Sequence, residues 1–168
     1  MNKMFEKFGE LKSVEEINKT AEGLKSEGDL EGLLILAEEN GIDKEDAEDY
    51  MDDCFEELVN LTTASAGRLK AMKKADIDSE KNAIKKMAKR VILQAMEPMI
   101  KDQELAAGIL RQGNSLEKIF KEMEDGARKH KTGSMGVSCG TDQQLENIIK
   151  ACITGSDVTA EVEKLYEG

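Results

Sequence analysis

The sequence predicts an all-α protein, a compact multi-helix domain of about seven or eight helices. Three observations support this. Capping residues recur every ten to twenty positions, each followed by apolar residues at helical spacing. Proline occurs once, at Pro98. Apart from Val137-Ser138-Cys139, which has the pattern of one short strand near residue 137, no segment alternates as strands do.

The elements follow in order. Ser13-x-x-Glu16 is a capping box that opens a first helix, stopped near Gly28. Asp29 caps a second, with Leu30, Leu33, Leu34 and Ala37 inside and Asn40-Gly41 as its stop. A third runs from Asp43 to about Leu61, with Ala47, Tyr50, Met51, Cys54, Phe55, Leu58 and Leu61 on one face. A shorter helical stretch spans 64–75. Ser79 then caps a long helix whose apolar stripe is Ile84, Met87, Ala88, Val91 and Ala95, with Pro98 set to kink or restart it. Asp102 to Gln112 forms the next helix. Asn114 or Ser115 caps another, with Leu116, Ile119, Phe120 and Met123 inside. A Gly-rich loop, 132–140, precedes the capping box Thr141-x-x-Gln144, and Ser156 or Asp157 opens a terminal helix to Tyr166.

Charge divides the chain. Residues 1–66 are net −13, residues 67–131 net +6 and residues 132–168 net −4. Residues 1–62 therefore read as an acidic helical subdomain and 63–168 as a helical part carrying a basic helix at 79–97. Between Glu38 and Glu57 there are eleven Asp or Glu and one Lys. Glu45, Glu48, Asp49, Asp52, Asp53, Glu56 and Glu57 are expected on the face opposite the apolar residues, as a solid carboxylate surface. Five pairs there are like-charged at i,i+4, at about 0.2–0.5 kcal/mol each. The pattern fits either an ordinary solvated face or a surface shaped for a cationic partner.

On the basic helix, Lys81, Lys85 and Lys89 form one row and Lys86 and Arg90 a second, both away from the apolar stripe. They read as a solvated face, opposed to the acidic helix within the fold or across a homodimer, or as a phosphate-contacting face for nucleic acid.

Chemistry finds little support. One histidine and three scattered cysteines give no metal-ligand pattern and no cofactor site. Cys139 has only His130 as an imidazole partner, and Cys54, Cys139 and Cys152 read as idle reduced thiols. The acidic run lacks the central glycine and ligand spacing of a calcium loop. The Gly-rich loop lacks the Gly-Lys-Ser/Thr ending of a P-loop. Carboxylates on one exposed face do not acquire the perturbed pKa that acid–base work needs. The reading is a non-enzymatic protein with no catalytic residues. No apolar run spans a bilayer and no signal-peptide core precedes the first helix, so a cytoplasmic location is expected.

The run Ser13-Val14-Glu15-Glu16-Ile17-Asn18, then Ala21-Glu22-Gly23-Leu24-Lys25-Ser26-Glu27-Gly28-Asp29, then Leu36 to Asp52, resembles the start of the PcfK-like family. That family travels on conjugative elements and phages of Firmicutes, and some members are anti-CRISPR inhibitors of the type II CRISPR effector nuclease. The stretch Ser115 to Lys129, followed by Val137-Ser138 and Asp142, echoes the same family. The resemblance implies an inhibitory binding protein in the bacterial host, whose partner is the effector nuclease with its guide RNA. It transfers no catalytic residue. The accompanying expectation is that the carboxylate face imitates phosphate and blocks target DNA binding or cleavage. The alternative is a nucleic-acid-binding accessory protein of a conjugative element or phage, working through Lys81, Lys85, Lys86, Lys89 and Arg90.

Overall fold

A computed structural model describes residues 5–130 and 140–167, and 72 % of it is helical. Nine α-helices and no strand occur among the described residues: α1 (Val14–Glu27), α2 (Leu30–Glu39), α3 (Lys44–Met51), α4 (Leu61–Met72), α5 (Ala83–Met96), α6 (Gln103–Leu110), α7 (Leu116–Lys129), α8 (Asp142–Thr154) and α9 (Val158–Glu163). The all-α expectation holds. The strand pattern at Val137–Cys139 and most of the Gly-rich loop lie outside the described residues.

Local capping chemistry fixes most helix starts. Ser13, Asp29, Asp102, Ser115, Thr141 and Asp157 each accept a hydrogen bond from a backbone N–H in the first turn of their helix. Thr141 and Gln144 complete a reciprocal capping box. At α1 the box is only half made: Ser13 accepts from Glu16 N, but the Glu16 carboxylate accepts from Lys12 N instead of Ser13 N.

Three expectations require correction. The acidic helix stops at Met51. Continuing it would have stacked Asp49/Asp53, Asp52/Glu56 and Asp53/Glu57 as like-charged neighbours. The chain instead turns at Asp53, whose φ of 62° is left-handed, a conformation Asp tolerates better than most side chains. Leu58 and Val59 return to the core, leaving Cys54 and Phe55 exposed.

The expected helix at 64–75 begins earlier, at Leu61, where Asn60 and Thr63 form a capping box. It passes into a π-helical turn, Lys73–Asp78, and Ser79 bonds back to Ala75 O instead of capping α5. Asn82 caps α5, accepting from Ile84 N and Lys85 N at 3.0 and 3.1 Å. Pro98 sits in the first turn of a 3₁₀ segment, Glu97–Lys101, that separates α5 from α6.

The third correction is the orientation of α5. Ile92, Leu93 and Met96 are buried together with Lys89, whereas Ile84, Met87 and Val91 are 75, 64 and 45 % exposed. The helix is apolar on two sides. The richer side in its second half, continuing to Met99, decides which faces inward.

Two apolar clusters result. One gathers Ile17 and Ala21 of α1, Leu33, Leu36 and Ala37 of α2, Ala47 and Tyr50 of α3, Leu58, Val59 and Ala64, and it reaches across to Leu110 of α6. The other gathers Leu69 and Met72 of α4 with α5 through α9. Helix α4 thus feeds one cluster from its first half and the other from its second. On α6, Ile109 and Leu110 point into different clusters.

Two backbone approaches hold this junction. Gly41 has φ +66°, and a Cβ added to it would lie 2.2 Å from Gly67 O; one on Gly67 would lie 2.3 Å from Asn40 O. Buried Arg68 pairs with Glu10 at 2.9 Å, donates to Leu11 O and stacks over the Phe5 ring at 4.6 Å. Burial pulls the guanidinium below its ordinary pKa, with the Glu10 charge opposing that fall.

Candidate functional site

The acidic surface is built on α3 and the 52–57 loop, not on one long helix. Buried Ala47 and Tyr50 anchor the helix, and Leu58 and Val59 anchor the far end of the loop. Asn18 clamps Val59 from both sides: its Nδ2 donates to Val59 O at 2.8 Å and its Oδ1 accepts from Val59 N at 3.0 Å. Lys25 supports the turn from below. Its ammonium pairs with Asp53 at 2.8 Å, donates to Tyr50 O at 2.5 Å and lies 4.3 Å from the centre of the Tyr50 ring.

This scaffold sorts the expected carboxylates into two groups. Asp53 is tied to Lys25, and half-buried Glu48 pairs with Lys44 at 3.0 Å. Glu45, Asp49, Asp52, Glu56 and Glu57 are exposed and carry no ion pair among the described residues. Asp46 belongs with them, exposed and likewise without an ion pair among the described residues. An eight-residue helix is only about 12 Å long, so the free charges follow a short helix and a bend instead of a straight rod.

A cleft of about 490 Å³ opens between this segment and α4, and Asp46, Glu56 and Glu57 line it with Asp43, Lys70 and Phe55. Asp43 is held by Lys70 at 3.1 Å. The remaining three carboxylates share the cleft with the Phe55 ring, which is 48 % exposed. A cationic side chain entering there would meet negative charge and an aromatic face together. Sequence periodicity missed this arrangement, because Asp46 and Phe55 meet only where the helix breaks. Among the described residues no group of three or more His, Cys, Asp or Glu is placed to hold a metal ion.

The basic helix does not present the expected surface. Lys89 is buried and donates to Asp76 O at 3.2 Å while pairing with Glu80 and Glu117. Burial disfavours its charge, but the hydrogen bonds to Glu117 and Glu80 more than compensate, so its pKa ends above the ordinary lysine value. In return, the hydrogen bond from Lys89 holds the Glu80 carboxyl down at about 2. Lys85 is half-buried, with its ammonium 5.5 Å from the centre of the Phe120 ring. The first lysine row is thus turned into the fold at Lys85 and Lys89. Lys81 and Arg90 remain exposed and Lys86 half-exposed.

Asp76, on the π-helical turn, accepts from Leu116 N and Glu117 N and so supplements Ser115 at the start of α7; burial raises its pKa. Of the cysteines, Cys54 is exposed and Cys152 buried, with its thiol donating to Glu122 at 2.9 Å and its pKa pushed up by burial. Cys139 lies outside the described residues. No helix among the described residues is long and apolar enough to cross a membrane.

Comparison with family models, with curated proteins and with solved structures gives no match to this chain.

Proposed function

We propose that this chain is a non-enzymatic inhibitor that uses its acidic surface to occupy a cationic nucleic-acid channel. The observation that carries the reading is the set of six exposed carboxylates (Glu45, Asp46, Asp49, Asp52, Glu56 and Glu57) with no ion pair among the described residues, on a segment pinned at both ends by buried side chains. Such fixed charges keep their repulsion unless a positive partner neutralises them. Phosphate-binding channels provide that partner, and charges held in place lose little freedom on binding.

The PcfK-like resemblance of residues 13–52 supplies the particular target: the type II CRISPR effector with its guide RNA, inside the bacterial host. Such effectors hold their nucleic acid in a positively charged channel and read a short motif through arginines. The bend at Asp53 and the cleft beside Phe55 suit an arginine-lined pocket better than a straight groove. On this reading Asp53 and Glu48 position the surface, and the six free carboxylates contact the effector.

The test is DNA cleavage by a purified effector–guide complex, titrated with this protein before or after target DNA is added. Inhibition is expected, strongest when the protein is added first. The variant Asp49→Lys, Asp52→Lys, Glu56→Lys and Glu57→Lys is expected to lose inhibition while its circular dichroism stays helical. Undiminished inhibition by that variant would overturn the electrostatic mechanism. Duplex retention by the protein alone at physiological salt would favour the accessory nucleic-acid-binding role, for which Lys81, Lys86 and Arg90 remain solvent-facing.

A further inference from the structure

Ile84, Met87 and Val91 lie at i, i+3 and i+7 on α5, the spacing at which a helix presents one line of apolar anchors. All three are exposed, while the same helix buries a lysine. Among the described residues, five large apolar side chains are exposed, and these are three of them. Apolar anchors in line on one exposed helix face are the form in which an amphipathic helix meets a partner surface.

Charge identifies what covers it. Helix α5 contains no carboxylate, and Lys81, Lys86 and Arg90 around the strip have no ion pair among the described residues. A second α5 packed against it would set these cations against their own copies. The chain itself carries the opposite surface: Phe55, exposed, with Asp52, Asp53, Glu56 and Glu57 flanking it in the chain and Glu56 and Glu57 lining the same cleft. We infer that the Ile84–Met87–Val91 strip receives the acidic segment of a second copy of this chain, Phe55 entering the apolar line and Glu56 and Glu57 meeting Lys86 and Arg90.

The contact is head to tail, since the two surfaces differ, and a pair of molecules keeps one surface of each kind open. Association therefore extends to chains or rings and weakens with salt, because part of its attraction is electrostatic. It also covers the carboxylates proposed to meet the nuclease, so dilution or a stronger cationic competitor would release the inhibitory surface.

Sedimentation velocity on the full chain, over a concentration series at low and at physiological salt, tests this without any nuclease. The weight-average mass is expected to rise with concentration, more steeply at low salt. Met87→Asp alone, and Glu56→Lys with Glu57→Lys alone, are each expected to weaken association about tenfold or more. Both changes lie on exposed side chains, so circular dichroism is expected to match wild type. Mixed together, the two variants are expected to form a closed 1:1 complex, because each supplies the surface the other lacks. A monomer under all conditions would overturn the inference. So would a dimer lost on Met87→Asp but untouched by the Glu56/Glu57 reversal, which would place a second α5 on the strip.

Discussion

Lys89 Nζ lies 2.8 Å from the Glu80 carboxylate and 2.5 Å from that of Glu117, with only 4 % of its side chain exposed. One buried ammonium thereby joins three pieces of chain: the segment after the π-helical turn, α5 and the start of α7. Its carboxylate partners still reach water, so the network is buried at its centre and hydrated at its rim.

Removing that centre has a graded outcome. Lys89→Ala leaves a cavity as well as two carboxylates without their cation, and is expected to cost about 3 kcal/mol. Lys89→Met fills the space but leaves the same two carboxylates without their cation, so it is expected to recover only the cavity part of that loss, about 1 kcal/mol. Urea denaturation of both variants measures the difference. Glu80→Gln probes the acid limb. The folded Glu80 carboxyl sits at about 2, against about 4.5 when unfolded, so its contribution is present above pH 4.5 and disappears as pH falls toward 2. Asp76, raised by burial, acts with the opposite sign and remains in the variant. The stability difference between wild type and Glu80→Gln is therefore expected to shrink across that window; a constant difference would contradict the pairing.

Arg68 fastens the N-terminal segment. Its guanidinium holds Glu10, Leu11 O and the Phe5 ring, while Glu10 also accepts from Gly113 N at 3.1 Å. Arg68→Ala is expected to cost about 3 kcal/mol, the lower end for a broken buried pair because Glu10 can rehydrate. Residues 5–12 are expected to become cleavable by protease before the rest of the chain unfolds. Protection equal to wild type would show that other contacts hold them.

Gly67 packs its Cα against the Asn40–Gly41 turn, where no side chain fits. The clash falls on backbone, which cannot rotate away as a side chain does. Gly67→Ala is expected to destabilise by about 2 kcal/mol and to lower Tm by roughly 4–8 °C. The same change displaces one wall of the carboxylate cleft. Gly23→Ala is the control, since a Cβ there meets nothing within 4 Å; mid-helix, it is expected to be neutral or slightly stabilising.

What was legible in the sequence was what local chemistry decides. Asp29, Asp102 and Thr141 cap their helices because a short polar side chain reaches the first-turn amides without help from the rest of the fold. The acidic run was legible as charge but not as shape. Helical spacing from Ala47 to Leu61 described a continuous stripe, yet like-charge crowding and the burial of Leu58 and Val59 favoured a break at Asp53. Helix α5 failed for another reason. Its lysines mark a solvent face only if none has a buried partner, and Lys89 finds Glu80 and Glu117 nine and twenty-eight positions away. The exposed Ile84–Met87–Val91 line is the counterpart of that choice, and no periodicity count separates it from a core stripe.

The adjacency of Ile109 and Leu110 reaches beyond packing. Neighbours in sequence, they take part in two different cores, so neither core is complete without α6. The acidic segment is consequently not a detachable module. Its mutual repulsion is carried by the folding cooperativity of the whole chain, and a fragment ending before α6 would keep the charges while losing the frame that aims them.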